Sequence, residues 1–333
     1  MSRNALPLSG QKTEPTLAEV THYARAMTAS AVGVVGYGKW GRNIVRDLIA
    51  LGAAVTVVAR DETNRHAALE AGAARTVDAM DNLPNDLEGL VVATPTVTHA
   101  EVTEQLIPSG VPIYVEKPLT CDAAAARHLA ELAPDRLFVM HKWRYHPGIE
   151  LLGEIARAGE LGPVVGLHTV RVGWGNPHPD VDGVWILVPH DLSIALEVLG
   201  EIPEPRSAVA EVVGGKWAGI VGLLGDEPWF ALESSAAHPL RRREIRLVCR
   251  EGVAMVHDPY ADHILVTRGE PNEGTRDEEK RPISTEFPLL RELRAFLEHL
   301  DGGPPPKSNA EEAVADVAAV ERLRELASLE PVA

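Results

Sequence analysis

Cysteine and long apolar runs are both scarce in this chain. Only two cysteines, Cys121 and Cys249, occur in 333 residues, which is too few for a disulfide framework and indicates a reducing compartment. The longest apolar run, residues 49–59, has about half of the roughly 20 residues that a membrane-spanning helix needs. The N-terminus has no basic region followed by an apolar core, so we predict no secretory signal and expect a cytoplasmic protein.

Positively charged residues are also few: the chain has 32 lysines and arginines but 48 aspartates and glutamates, which gives a net charge of -16. The resulting negative electrostatic field repels phosphate backbones and anionic lipids, which excludes general binding to nucleic acids or membrane surfaces. The histidines and cysteines lack the spacing of metal ligands, so no metal site is expected. With 45% hydrophobic residues the composition is that of a folded chain, and the length favours two domains.

Apolar runs and helical patterns alternate between residues 31 and 115. Each short continuous apolar run is typical of a strand that is buried on both faces of a parallel sheet. The predicted strands are residues 31–35, 54–59, 75–77, 90–93 and 112–115. Their alternation with helices predicts an α/β fold with a doubly wound parallel sheet.

The pattern changes after about residue 147. Strand-like runs now follow one another with few helices between them, at residues 164–172, 207–213, 218–224, 229–235, 244–249 and 254–257. They predict an antiparallel or mixed sheet and hence an α+β second domain. Pro189 is predicted to start a helix at His190, the charged stretch 269–282 to be a solvated loop, and the pair Ser308 and Glu311 to cap the last helix.

A glycine-rich turn stands between the first predicted strand and the helix after it. Its residues form the pattern G-x-G-x-x-G and are Gly36, Tyr37, Gly38, Lys39, Trp40 and Gly41. In this setting the first glycine allows the tight turn, the second lets the backbone approach a pyrophosphate, and the third lets helix and strand pack closely. The helix N-terminus adds free N–H groups for the phosphates. We predict dinucleotide binding; the alternative is a glycine-rich turn without a ligand.

The end of the second predicted strand bears on the choice between NAD and NADP. An acidic side chain at this place would bind the adenosine ribose of NAD. The strand instead ends in Ala59, Arg60 and Asp61. The small Ala59 leaves room for a 2′-phosphate that Arg60 could neutralise, which favours NADP over NAD. In the alternative, Arg60 is a solvated surface residue and Asp61 reaches the ribose.

Two further segments follow later strands, at the sheet edge where ligands of open α/β sheets bind. They are Ala93-Thr94-Pro95-Thr96 with His99, and Glu116-Lys117-Pro118. Together with the glycine turn they resemble the Gfo/Idh/MocA oxidoreductase family, which includes glucose-fructose oxidoreductase and inositol dehydrogenase. The resemblance extends from Ala31 to Leu329 and includes Lys142-Trp143-Arg144-Tyr145, Gly162-Pro163, Pro189-His190-Asp191 and Gly252. Residues 183–200 are most similar to the branch that acts on nucleotide-linked sugars.

The resemblance implies a fold and a division of the chain. A Rossmann domain is followed by a domain built on a large, mostly antiparallel sheet, whose open face commonly forms the contact of a homodimer or homotetramer. The predicted divisions are an N-terminal extension (1–29), the dinucleotide-binding Rossmann domain (30–146), the α+β substrate and dimerisation domain (147–302) and a C-terminal helix (303–333). The extension is predicted to be either a short helix after Pro15 or a loosely ordered arm.

The resemblance also implies an activity, which is hydride transfer between NADP or NAD and a ring hydroxyl or ketone of a sugar derivative, including nucleotide-linked sugars. Lys117 would sit beside both the nicotinamide and the reacting carbon. The other residues implied to bind the cofactor are Ala93, Thr94, Pro95, Thr96, His99, Glu116 and Arg144.

Acid-base chemistry also favours Lys117 as a catalytic residue. Oxidation of an alcohol needs a base for the hydroxyl proton. A free lysine titrates at about 10.4, but burial and a cationic nicotinamide would both lower its pKa to a useful range. The alternative is a structural lysine that pairs with Glu116.

His190 is the second candidate for catalysis, because members of the family often use a histidine here to bind the substrate hydroxyl or relay its proton. Many of them carry an aspartate four residues earlier, where this chain has Ile186. Asp182 or Asp191 would then take over as a substrate ligand, or Lys117 would work without such a helper. A third alternative is that the chain has lost turnover and is a non-catalytic dinucleotide and sugar sensor that acts through a partner protein.

Overall fold

A computed structural model of the chain describes residues 30–175, 180–269 and 276–328. The predictions made for residues 1–29 lie outside this part of the chain. Within the described ranges, no helix combines the length and the apolar character that crossing a membrane requires.

The first sheet consists of six parallel strands. They are β1 (Ala31–Val35), β2 (Ala54–Val58), β3 (Arg75–Val77), β4 (Gly89–Val92), β5 (Ile113–Glu116) and β6 (Leu137–Met140), in the order β3-β2-β1-β4-β5-β6. The intervening helices are α1 (Lys39–Ala50), α2 (Glu62–Glu70), α3 (His99–Leu106) and α4 (Ala123–Leu132). The strand order reverses between β1 and β4, which opens a crevice at their carboxyl ends. The predicted doubly wound sheet is confirmed, and β6 is a strand that the sequence did not indicate.

The second sheet has eight strands and is antiparallel except where β7 pairs with β10. They are β7 (Val164–Trp174), β8 (Pro205–Val213), β9 (Lys216–Leu224), β10 (Trp229–Ser235), β11 (Ala237–Cys249), β12 (Gly252–Val256), β13 (His263–Arg268) and β14 (Asp277–Pro282), in the order β14-β13-β12-β11-β7-β10-β9-β8. The remaining helices are α5 (Pro147–Ala158), α6 (Gly183–Leu199), α7 (Pro288–Leu300) and α8 (Ala310–Ser328). The predicted α+β second domain with a mostly antiparallel sheet is confirmed.

The first sheet is covered on both faces, so β4, β5 and β6 are buried along their whole length. Helix α7 contributes to this cover although it comes from the C-terminal part of the chain. The ring of Phe296 on α7 lies 5.0 Å from the ring of Tyr114 on β5, and both side chains are fully buried. The chain therefore returns to the first sheet after building the second, and the predicted domain boundaries stay a prediction.

The prediction of a solvated loop over residues 269–282 is wrong for its last part, which forms strand β14. This strand pairs with β13 at the edge of the second sheet. Its side chains are held by ion pairs rather than by apolar packing, since Glu279 binds Arg268 and Arg281 at 3.1 and 3.0 Å. Charged edge strands of this kind discourage pairing with other chains.

Helix α6 begins at Gly183 and not at His190, as the sequence suggested. The side chain of Asp182 caps the helix by accepting two backbone N–H groups of its first turn at 3.1 and 3.3 Å. Pro189 lies inside the helix, where it removes one backbone N–H and its ring crowds the preceding turn. Almost every residue of α6 is buried, so tertiary packing outweighs the local cost of the proline.

The last helix is capped by a different pair from the predicted one. The N–H of Glu312 donates to Asn309 Oδ1 at 2.9 Å, and the N–H of Asn309 donates to Glu312 Oε2 at 3.1 Å. This reciprocal capping box lies one residue after the predicted pair, Ser308 and Glu311. Ser308 instead has a φ of 69°, and its hydroxyl accepts a hydrogen bond from Arg144.

Candidate active site

The glycine turn lies at the crevice between β1 and β4. Gly36 has a φ of +106°, and a Cβ at this position would lie 2.5 Å from the carbonyl oxygen of Ala93. A Cβ on Gly41 would lie 2.4 Å from the carbonyl oxygen of Gly36. Both positions therefore need glycine for the turn to pack. Gly38 differs, because a Cβ added there meets no atom within 4 Å from the described residues beyond its neighbours in sequence.

The open space at Gly38 fits a pyrophosphate. Gly38 is the N-cap of α1 and has no side chain that could accept a hydrogen bond from the first N–H groups of that helix. Such N–H groups, with the positive end of the helix dipole, favour a phosphate. Lys39 is exposed beside the turn, whereas Tyr37 is buried and its hydroxyl donates to the carbonyl oxygen of Ala67 at 3.4 Å. The side chain of Tyr37 thus packs inward, and its backbone belongs to the turn.

At the end of β2, Arg60 is exposed and Asp61 is already engaged. Asp61 caps α2, because its Oδ1 accepts the N–H of Thr63 at 2.9 Å. Arg65 fixes the end of the strand by donating to the carbonyl oxygens of Ala59 and Arg60 at 2.8 and 2.7 Å. The guanidinium of Arg60 therefore faces solvent, while the carboxylate of Asp61 stabilises the helix.

Glu116, the last residue of β5, is almost wholly buried. Its carboxylate accepts the indole N–H of Trp40 and the backbone N–H of Lys117, the latter at 3.1 Å. Burial raises the pKa of Glu116, although the charge of Lys117 opposes the shift. Lys142 Nζ lies 4.2 Å from the centre of the Trp40 ring, and both side chains line a cavity of about 190 Å³. The start of α1, the end of β5 and the turn after β6 thus meet around one carboxyl group.

Lys117 directly follows β5 and is half-buried. Its Nζ donates to the carbonyl oxygen of Ile186 at 2.9 Å. This acceptor lies in the turn of α6 that Pro189 disrupts. Burial lowers the pKa of Lys117 to about 8, and neighbouring positive charges act in the same direction while neighbouring carboxyl groups oppose them. A useful share of the amine is therefore neutral near physiological pH, which suits a general base.

His190 lies in the middle of α6, with its ring 6.3 Å from the ring of Trp143. Its Nδ1 is buried and has no hydrogen-bond partner within the described ranges. Burial, followed by the positive charge of Lys117, lowers the pKa of His190 well below its ordinary value. The imidazole is therefore neutral.

His99 connects the two segments that follow β4 and β5. The ring is buried, with Nδ1 2.8 Å from the carbonyl oxygen of Pro118 and Nε2 2.9 Å from that of Thr94. Both nitrogens are thus used within the protein. His99 fixes the turn of Ala93, Thr94, Pro95 and Thr96 relative to the loop after Lys117, and its direct contact with a cofactor stays a prediction.

The two aspartates considered as substrate ligands have other partners. Asp182 caps α6 and also binds Arg324 at 2.8 Å. Asp191 is fully buried, with its carboxylate 3.0 Å from Arg171 Nε and 2.7 Å from the hydroxyl of Ser234. These contacts favour structural roles for both residues, and substrate binding by either is a prediction that no contact here supports.

Arg144 is buried in a network of ion pairs in the turn after β6. Its Nη1 donates to Glu312 at 2.7 Å and to Ser308 at 3.1 Å, and its Nε donates to Glu197 at 3.4 Å. The guanidinium therefore joins this turn to α6 and α8. A contact between Arg144 and the cofactor stays a prediction.

Sequence reasoning missed two buried titratable groups whose pKa values respond to the charge of Lys117. His141 follows β6, and neither of its ring nitrogens has a partner in the part of the chain that is described; burial lowers its pKa to about 3. Asp316 lies on α8, and its Oδ1 is likewise buried and unpartnered. No motif marks either residue. Across residues 30–175, 180–269 and 276–328, no group of three His, Cys, Asp or Glu side chains is placed to hold a metal ion.

Residues 30–140 match the Gfo/Idh/MocA family model, described as an oxidoreductase family with an NAD-binding Rossmann fold. A UDP-N-acetylglucosamine 3-dehydrogenase from Acidithiobacillus ferrooxidans is 31% identical over 183 residues, which cover 53% of this chain and 56% of that protein. An inositol 2-dehydrogenase from Rhizobium meliloti is 29% identical over 205 residues, or 57% of this chain and 61% of that protein. The chain thus spans a little over half the length of these curated relatives.

Solved structures resemble nearly the whole chain. The UDP-N-acetylglucosamine 3-dehydrogenase from Acidithiobacillus ferrooxidans has a TM-score of 0.78 at 24% identity, covering 90% of this chain and 98% of its own. A variant of a 3-ketoreductase from Actinomadura kijaniata, solved with TDP-benzene and NADP, has a TM-score of 0.78 at 18% identity, covering 90% and 98%. At these identities the likeness shows a shared fold. Residues 30–140 therefore match the Rossmann domain described for the Gfo/Idh/MocA oxidoreductase family, and the rest of the chain shares the fold of these solved structures.

Proposed function

We propose that the chain is an NAD(P)-dependent oxidoreductase that transfers a hydride between the nicotinamide and a ring hydroxyl or ketone of a sugar derivative, including nucleotide-linked sugars. The proposal rests above all on the environment of Lys117. Its amine is half-buried at the carboxyl edge of the Rossmann sheet and has a pKa of about 8. Such an amine can exchange a proton with a hydroxyl group near neutral pH. The names of the two relatives, which act on UDP-N-acetylglucosamine and inositol, support the substrate class.

Lys117, Ile186 and His190 have different roles in the proposed proton transfer. The bound cofactor would supply the hydride acceptor or donor. In alcohol oxidation, the neutral Nζ of Lys117 takes the hydroxyl proton while the carbon loses its hydride and the C=O bond forms. In ketone reduction, the ammonium form returns a proton to the oxygen. The carbonyl oxygen of Ile186 holds Nζ in place, and the imidazole of His190 would bind a substrate hydroxyl.

Turnover is the direct test of this proposal. Absorbance of the reduced nicotinamide would be followed with ring-hydroxyl sugars, their ketones and nucleotide-linked sugars, and conversion of any of them supports an enzyme. Cofactor binding without turnover would favour the sensor, which Ile186 motivates because it places no side-chain carboxylate one turn before His190. Failure to bind either nicotinamide cofactor would refute both functions.

The preference for NADP forms part of the proposal and rests on Arg60. Its guanidinium is exposed, whereas Asp61 is engaged as a helix cap, so a 2′-phosphate meets a cation there. We expect Arg60→Ala to weaken NADPH binding about tenfold, as for one charge-assisted hydrogen bond, and to leave NADH binding unchanged. Calorimetric titration with both cofactors measures this, with Arg75→Ala on β3 as the control. Tighter binding of NADH by the wild-type protein would contradict it and point to Asp61.

The proposal also includes a homo-oligomer formed through the open face of the second sheet. Val209 on β8 and Val221 on β9 are paired in register, and 71% and 56% of their surfaces are exposed. Leu223 is exposed on the same face two residues further along β9. A row of exposed apolar side chains marks a protein contact. Sedimentation should show a particle of at least twice the chain mass, and a monomer at high concentration would contradict this.

A further inference from the structure

One carboxyl oxygen of Asp316, on the C-terminal helix α8, is buried without a hydrogen-bond partner in the described part of the chain. The residue is 1% exposed, and its Oδ1 makes no hydrogen bond within the described ranges. A buried polar atom in this condition costs free energy, so its presence calls for a reason beyond packing. Lys117 is the charged group whose field acts on this carboxyl.

The contacts of α8 place this carboxyl group near the lysine. One turn before Asp316, Glu312 binds Arg144 in the turn after β6 at 2.7 Å. Two turns after it, Arg324 binds Asp182 at the start of α6 at 2.8 Å. Side chains three or four positions apart share a helix face. Between these two contacts, α8 therefore runs beside the part of α6 whose carbonyl oxygen holds the lysine Nζ.

The other carboxyl groups of the site already have partners. Glu116 accepts hydrogen bonds from Trp40 and from the backbone. Asp182 caps a helix, and Asp191 binds Arg171 and a hydroxyl. Position 186 supplies only its backbone carbonyl. Asp316 is left as the buried carboxyl that is near Lys117 and lacks a hydrogen bond on Oδ1.

We propose that Asp316 is a positioning residue for Lys117, the carboxyl group that balances the ammonium formed when the lysine takes the substrate proton. This inference rests on the proposed function. The basic groups around the lysine are Lys142 and His141 in the turn after β6, Arg171 on β7 and His190 on α6. The acidic groups are Glu116 on β5 and Asp316 on α8. Arg171 is already paired with Asp191, so Glu116 and Asp316 are the acidic groups whose charges act on the ammonium.

The direction of the effect on titration follows from charge. Burial raises the pKa of Asp316 well above its ordinary value, and the lysine charge opposes that shift. The charge of each group therefore acts on the titration of the other. Whenever Asp316 is ionised it favours the ammonium form of Lys117, so removing the carboxyl group must lower the pKa of the lysine.

The test measures the pKa of Lys117 without turnover. The full chain is labelled with a trace of acetic anhydride across a range of pH, and mass spectrometry quantifies the label on each of its seven lysines. In Asp316→Asn we expect the pKa of Lys117 to fall by about one unit, as for loss of one nearby opposite charge. The acidic limb of the pH profile for alcohol oxidation should move to lower pH by the same amount.

Glu312→Gln is the matched control, because it makes the same chemical change one turn earlier on α8. It should leave the pKa of Lys117 unchanged. An unshifted pKa in Asp316→Asn, or an equal shift in both variants, would overturn the proposal. Should the asparagine variant not fold, Asp316→Leu gives the same measurement without buried polar atoms at this position. A wild-type chain without turnover would refute the proposed function, whereas the labelling would still decide the role of Asp316.

Discussion

Lys117→Ala should abolish hydride exchange with every sugar substrate and leave cofactor binding intact. Loss of a general acid-base group lowers kcat by about 10²- to 10⁴-fold. Lys117 Nζ donates to the carbonyl oxygen of Ile186, and the glycine turn that would hold the pyrophosphate is a separate segment, so the affinity for the cofactor should stay close to that of the wild type. Steady-state kinetics and calorimetric titration of the same preparation measure the two quantities.

Two comparisons separate proton transfer from charge in this prediction. Lys117→Arg keeps the positive charge but does not lose its proton near neutral pH, so it should be as inactive as the alanine variant. Added small primary amines should restore part of the activity of Lys117→Ala only. Full activity of the alanine variant would exclude the lysine as the base.

The pH dependence of the wild-type enzyme should follow the protonation of the same lysine. Oxidation needs the neutral amine, which exists above the pKa of Lys117, so kcat/KM for the alcohol should rise through a pH of about 8. Reduction needs the ammonium form, so kcat/KM for the ketone should fall over the same range. Neither limb should remain in Lys117→Ala.

Gly38→Ala should weaken cofactor binding while the fold stays as stable as in the wild type. Its φ of -72° suits any residue, and within the described ranges no atom beyond its neighbours in sequence lies within 4 Å of the added Cβ. The methyl group would instead occupy the space where the backbone approaches the pyrophosphate. We expect a loss of affinity of at least about tenfold, equivalent to 1.4 kcal/mol, by calorimetric titration with an unchanged melting temperature.

Gly41→Ala is the matched control for this prediction. A Cβ at Gly41 would lie 2.4 Å from the carbonyl oxygen of Gly36, so the helix would have to move away from the turn. Overpacking of this kind costs about 1–3 kcal/mol, and both the melting temperature and the affinity should fall. Unchanged affinity in Gly38→Ala would place the pyrophosphate elsewhere.

Hydrophobic periodicity predicted most of the first sheet, because its strands are buried on both faces and read as continuous apolar runs. Two strands escaped it. Strand β6 is an apolar run of four residues, no shorter than β4 and β5, so it was within reach of the same pattern. Strand β14 has the sequence Asp-Glu-Glu-Lys-Arg-Pro and is held by backbone pairing and ion pairs, so it has no apolar alternation to detect.

Some residues of the candidate site were likewise predictable from the sequence, and others were not. The glycine turn, Glu116 and Lys117 lie in short local motifs, so the sequence pointed to them directly. Their surroundings depend on tertiary contacts: Pro189 suggested a helix start, although burial lets α6 continue through it. Asp316 lies on the last helix, far along the chain from the lysine, and no local pattern joins the two.

The anchor of Lys117 is a main-chain atom, and this affects how the site can change during evolution. The side chain of Ile186 is 4% exposed, so selection at this position acts on core packing, while its carbonyl oxygen holds the amine. Every apolar replacement that keeps the helix in place keeps the anchor. The contact of Lys117 thus depends on the path of α6 and on the proline within it. Residue 186 can change to another apolar residue without loss of this contact.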